Sequence, residues 1–111
     1  MPNTNIVILE GHLGKDPESK ELNGGVIVCN FSIATSTGRD EKKRTQWHSC
    51  KCFGSQATEL AMNGRTGDVV SLKGRIEYRK WEDKYYTDII ADHLHLTKKK
   101  GKPDDDGFVE E

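Results

Sequence analysis

The chain has 111 residues, 33% of them hydrophobic and 32% charged, with a formal net charge of -1. That length holds one domain with one core. No apolar run approaches the ~20 residues needed to span a membrane, and the opening stretch MPNTNIVILE has neither a basic leader nor a small-residue cleavage site, so a cytoplasmic protein with no membrane contact is expected.

NIVILEGHLG begins with four consecutive β-prone apolar residues, Ile6 to Leu9, the pattern of a strand covered on both faces. Its apolar surface exceeds what one small barrel core requires, so Ile6 and Ile8 are expected to meet another subunit. KDPESKELNGG carries turn chemistry at Asp16-Pro17 and at Asn23-Gly24-Gly25 and separates the first strand from the second. In VIVCNFSIAT, residues Ile27, Cys29, Phe31 and Ile33 alternate with Val28, Asn30, Ser32 and Ala34, a period-two strand with one apolar face. STGRDEKKR is a polar loop carrying Arg39, Lys42, Lys43 and Arg44.

TQWHSCKCF reads as a third strand. Trp47, Ser49, Lys51 and Phe53 share one side, and His48, Cys50 and Cys52 the other. Burying both rings would bury the Lys51 ammonium with them, which is costly without a partner. The aromatic side is therefore expected in solvent, and the cysteines are expected as small fillers facing the core or a subunit contact. Zinc at His48, Cys50 and Cys52 is the weaker reading, because alternate strand positions lack knuckle spacing and no second pair lies nearby. A catalytic thiol has only the adjacent His48 in its favour. Three cysteines, an odd number, make no disulfide framework, so reduced thiols are expected.

A short helix fits SQATELAMNG, with Ser55 as N-cap, Ala57, Leu60 and Ala61 on one face, and Gly64 near its end. DVVSLKGRIEYRKW and KYYTDIIADHLHL then form two long strands joined at a charged turn. From Lys98 the chain loses nearly all apolar residues, and residues 98–111 read as a disordered acidic tail behind a domain of residues 1–97. All 17 basic residues precede Pro103 and five of the 18 acidic ones follow it, which leaves residues 1–103, with the lysines at 98–100 and 102 included, at a net +4. Five strands, with one helix between the third and fourth, is the order of an all-β OB-fold, a five-stranded Greek-key barrel that often binds oligonucleotides.

Exposed rings interleaved with cations suit single-stranded nucleic acid, since every base offers a π-face and stacking tolerates any sequence. The second such cluster holds Tyr78, Arg79, Lys80, Trp81, Lys84, Tyr85 and Tyr86. Trp81 sits beside a charged turn where a core position is hard to arrange, whereas Tyr78, Tyr85 and Tyr86 fit core and solvent equally well. The basic loop fits a merely solvated loop too, but three regions of one character favour a groove.

Taken in order, NIVILEGHLGKDPE, NGG, NFSIATS, QWHSCKCFG and GRIEYRKWEDKYYTDIIAD resemble the bacterial-type single-stranded-DNA-binding protein family from about Asn5 to Leu96. The resemblance implies an OB-fold, usually a homotetramer and sometimes a dimer, that coats single-stranded DNA in replication, recombination and repair. It implies base stacking at Trp47, Phe53 and Trp81, backbone contacts at Arg79 and Lys80, and a subunit-interface role for His48. Lys51, Arg39, Lys42, Lys43, Arg44 and Lys84 are further candidate phosphate contacts, and the family's acidic tip, which recruits replication and repair enzymes, would correspond to Asp104, Asp105, Asp106 and Phe108.

The chain also departs from the pattern. Gly38 stands where many members carry an aromatic residue, a loss that Tyr78 would offset, Ser49 and Ser55 stand at positions that are often basic, and the tail lacks the long linker and the terminal Pro-Phe. These departures suit a phage or mobile-element version, or a host with a reduced one. No cofactor is expected. A nuclease would need clustered carboxylates and an activating base, whereas Asp16, Glu18, Asp40 and Glu41 lie in separate loops. An RNA-binding or primosome-type OB interaction module is the alternative binding function.

Overall fold

The computed structural model describes residues 2–97. It contains six strands: β1 (Val7–Leu13), β2 (Glu18–Glu21), β3 (Ile27–Thr37), β4 (Arg44–Phe53), β5 (Val69–Trp81) and β6 (Lys84–Thr97). A 3-10 turn at Asp40–Lys42 precedes β4, and helix α1 (Ser55–Asn63) joins β4 to β5. The strands pair in the order β1-β5-β6-β4-β3, and β1 closes the ring by pairing with β3 through His12↔Ala34 and Leu13↔Ile33. β1 can serve two neighbours because it leaves β5 at the point where it reaches β3. This is the five-stranded OB barrel the element order implied.

The barrel is filled by Leu13, Cys29, Phe31, Ile33, Cys50, Cys52, Val70, Leu72, Ile89 and Ala91, with Ala57 and Leu60 of α1 closing one end. Each large apolar side chain taken fully from water contributes about 1.5–3 kcal/mol, so these alternating strand residues dominate the stability. Cys29 and Cys52 stand opposite each other on β3 and β4, and all three cysteines are buried free thiols.

Two sequence expectations need correction. β2 adds a strand to a segment read as turns alone. Its residues Glu18–Glu21 are all exposed and show no apolar period, and backbone pairing to Cys29 and its neighbours on β3 makes it a strand. The helix cap is Gly54 rather than Ser55, which is already helical. Gly54 takes φ 70 and ψ -138 at the sharp reversal out of β4, a conformation open to glycine and closed to a side-chain cap. The first strand is covered on one side only within this chain: Val7 and Leu9 pack on the core, whereas Ile6 and Ile8 face outward, Ile8 at 74% exposure.

The calls on residues 98–111, including Asp104, Asp105, Asp106 and Phe108, lie outside the described residues.

Candidate nucleic-acid interface

Residues directly opposite on paired strands point to the same side of a sheet, so the ladders define one outer face. On β4 this face carries Trp47, Ser49, Lys51 and Phe53. Across β3 it carries Ala34, Ser32, Asn30 and Val28. The parallel pairing of Lys51 with Ile90 extends it to Asp88, Tyr86 and Lys84 of β6, and their partners on β5 are Glu77, Arg79 and Trp81. The buried side of β4 holds Cys50 and Cys52, as the cost of burying Lys51 required.

Trp47 and Trp81 are each 62% exposed and Phe53 is 40% exposed. At about 3.3 Å per residue, the Trp47 and Phe53 side chains sit roughly 20 Å apart along β4, with a polar floor between them. The indole of Trp47 rests on Gly14: a Cβ there would lie 2.6 Å from Cζ3. The glycine therefore sets how low the ring lies on the barrel.

Beside the stretch of β4 between Trp47 and Phe53 runs an open cleft of about 670 Å³, lined by Lys15, Lys20, Lys51 and Arg79, by the carboxylates of Asp16, Glu18 and Asp88, and by Asn30, Ser32 and Ser49. Lys51 donates to the Asn30 side-chain carbonyl at 3.1 Å, which holds the half-buried ammonium over the floor. Arg79 is already engaged. Its Nε donates to the nearly buried Asp88 carboxylate at 2.7 Å, and its guanidinium lies 4.5 Å from the Tyr86 ring centre. Farther along β5, Arg75 is tied to Glu77 and Asp92 at 3.0 and 2.6 Å. The carboxylate of Asp16, also in the cleft wall, accepts bonds from the Thr66 backbone N–H and hydroxyl, which hold it below the usual carboxylate range.

The hairpin residues separate. Arg79 and Trp81 belong to the ring-bearing face, whereas Tyr78 and Lys80, with Tyr85 and Thr87 opposite them, lie on the reverse of the hairpin. Arg39, Lys42, Lys43 and Arg44 are all exposed at and beside the 3-10 turn. Gly38 closes that loop at φ 84, and a Cβ on it would strike the Lys42 carbonyl. An aromatic residue at 38 is incompatible with this backbone.

His48 is half-buried on the cysteine side of β4, and its Nε2 lies 2.8 Å from the Thr35 hydroxyl. Sequence reasoning missed Lys15, Lys20 and Tyr86. The two lysines sat in a segment taken as turns, and Tyr86 was indistinguishable from its neighbour Tyr85 without the strand register.

Cys50 and Cys52 are chemically quiet, whereas the hydrogen bond from Cys52 holds the buried Cys29 thiol below its ordinary value. Burial, and then the charge of Asp88, push Cys50 up to about 12, and Cys52 is raised by its hydrogen bond with Cys29 and by burial. Neither is a thiolate near neutral pH, so neither meets the requirement for a nucleophile. Among the described residues, no three His, Cys, Asp or Glu side chains gather where a metal ion could sit, and no helix is long and apolar enough to cross a membrane.

A closed OB barrel with rings and cations along one outer face belongs to the class of folds that bind oligonucleotides on a strand surface. The chain belongs to the Single-strand binding protein family, whose sequence profile matches residues 4–97. It is 35% identical to Single-stranded DNA-binding protein 1 of Chlorobaculum tepidum, over 83% of this chain and 64% of that protein. It is 34% identical to the Single-stranded DNA-binding protein of Xylella fastidiosa, over 83% of this chain and 62% of that one. The chain thus spans slightly under two thirds of the length of these relatives. Among solved structures, that of Plasmodium falciparum SSB in complex with ssDNA superposes with a TM-score of 0.76 at 28% identity, over 90% of this chain and 98% of that one.

Proposed function

We propose that this protein binds single-stranded DNA without sequence specificity and without catalysis, laying bases on Trp47, Phe53 and Trp81 while cations along the cleft neutralise phosphates. The observation that carries this is the gathering of three exposed rings on one face of the β-sheet, with Lys51 between Trp47 and Phe53 on β4 and Lys15 and Lys20 in the adjoining cleft. Stacking reads no base edge, which is why such a surface tolerates any sequence. Membership of the family and the likeness to a DNA-bound relative support the same reading.

The reading extends to a cytoplasmic role in replication, recombination and repair. Arg39, Lys42, Lys43, Arg44 and Lys84 extend the phosphate path. A second copy of the chain covers Ile6 and Ile8, with His48 at a subunit contact, in a homotetramer or a dimer. Asp104, Asp105, Asp106 and Phe108 are proposed on sequence grounds alone as a segment that engages replication and repair proteins.

Titration with oligo-dT, followed by tryptophan fluorescence, tests the central claim. Stacking on Trp47 and Trp81 quenches the emission, and the matching RNA oligonucleotide competes no better than the DNA. Emission indifferent to DNA, or a preference for RNA, overturns the assignment. A monomeric mass at micromolar concentration overturns the assembly.

A further inference from the structure

The hairpin of β5 and β6 runs past the barrel. Beyond Ile76 on β5, whose backbone N–H and C=O are held by the Asn5 side chain, and before Ile89 on β6, no other strand pairs with it among the described residues, so it presents two open faces and two open edges. The front carries Arg79, Trp81, Lys84 and Tyr86. The back carries Tyr78, Lys80, Tyr85 and Thr87. On each face a cation lies over a ring of the opposite strand: Arg79 over Tyr86 at 4.5 Å in front, Lys80 over Tyr85 at 5.5 Å behind. Tyr78 and Tyr85 are 72% and 76% exposed.

We propose that this back face is a second binding surface for single-stranded DNA, occupied by a further stretch of the strand that fills the front cleft. The proposal rests on the DNA-binding function put forward above and adds a site to it. Tyr78 and Tyr85 are diagonal neighbours on the ladder, about 7 Å apart, so two rings present themselves to neighbouring bases. Covering the face with protein would bury the Lys80 ammonium without a counter-charge, at a cost, whereas a phosphate neutralises it. The open edges let a strand cross from front to back while staying in contact. The turn carboxylates of Glu82 and Asp83 keep phosphates off the tip itself, which places the crossing at an edge.

The test uses the full chain with Tyr78→Ala and Tyr85→Ala combined, which leaves every front-face ring in place. An oligo-dT of about 5 nucleotides, near the lower limit for one OB barrel, reports the front cleft. One of about 30 nucleotides reports both faces. The expected result is unchanged affinity for the short strand, at least about tenfold weaker binding of the long one, and an occluded site smaller by about two nucleotides, one for each ring removed. Tyr78→Phe with Tyr85→Phe, which keeps both rings, restores the long-strand affinity. Unchanged long-strand affinity and site size overturn the proposal. So does a fall in the mass of the free protein on Ala substitution, which assigns the face to a protein contact. Failure of the unaltered protein to bind even the short strand overturns the function itself, a result distinguishable from loss of the second surface alone.

Discussion

Arg79 donates its Nε–H to Asp88 at 2.7 Å, so the most central arginine of the cleft is paired with a carboxylate that is itself nearly buried. Removing the arginine strands that carboxylate, and an unpaired buried charge costs several times what an exposed pair contributes. Arg79→Ala is therefore expected to destabilise the domain by about 1–3 kcal/mol, and to lower the salt dependence of DNA binding by less than one full phosphate contact. Lys20→Ala, removing a cation at the cleft rim, is expected to leave the melting temperature unchanged and to reduce the slope of log affinity against log salt by about 0.7. Equal slope changes in the two variants, with no loss of stability in the first, would contradict the pairing.

Phe53→Ala and Trp81→Ala each remove an exposed ring. Each is expected to weaken oligo-dT binding by about 1–3 kcal/mol with unchanged thermal unfolding. Unchanged affinity in both would sink the stacking account.

Gly14→Ala tests the seat of Trp47, because the added methyl occupies space the indole now fills. The indole must lift from the barrel, which reduces its fluorescence quenching by DNA while that of Trp81 persists. Quenching identical to the parent protein would show that the contact with Gly14 does not set the ring's position.

The hairpin turn is strained in a correctable way. Glu82 and Asp83 both have positive φ, 48 and 68, as a two-residue turn between twisted strands demands and as Asn-Gly satisfies most easily. Glu82→Asn with Asp83→Gly is expected to stabilise the protein by about 0.5–1 kcal/mol, read as a melting temperature higher by a few degrees. A lower melting temperature would refute it.

Stability should fall on both sides of neutral pH, for different reasons. The two bonds from Thr66 depress Asp16 in the folded state, so its contribution is complete above the unfolded carboxylate range and lost as pH falls through the depressed value. Cys50 is raised to about 12 by burial, so its contribution is complete below the unfolded thiol value of about 8.5 and declines as pH rises toward 12. Denaturant midpoints across pH are expected to lose part of the acid arm in Asp16→Asn and part of the alkaline arm in Cys50→Ala. Arms unchanged in both variants would show that other groups set the profile.

The sequence by itself determined much of this protein. The period-two alternation of Ile27 to Ile33 was enough to orient β3, and the cost of burying Lys51 was enough to orient β4, putting Trp47 and Phe53 outside and Cys50 and Cys52 inside, because each argument depends only on neighbours along one strand. The position of Trp81 beside a charged turn was equally local. What tertiary structure decided depends on which strands meet. β2 has no apolar residue to betray it and exists through backbone bonds to β3. Lys15, Lys20, Lys51 and Arg79 come from three separate strands and a loop, and only barrel closure draws them into one cleft. Tyr85 and Tyr86 were told apart by a register shift at Lys73/Gly74, which leaves Asp92 unpaired on β6 and moves the core-facing positions from Leu94 and Leu96 to Ala91 and Ile89. A one-residue slip turns every following side chain to the other face of a sheet, and no local pattern of the β6 segment discloses it. That slip sends Tyr86 to the ring-bearing face, opposite Arg79, and Tyr85 to the back of the hairpin.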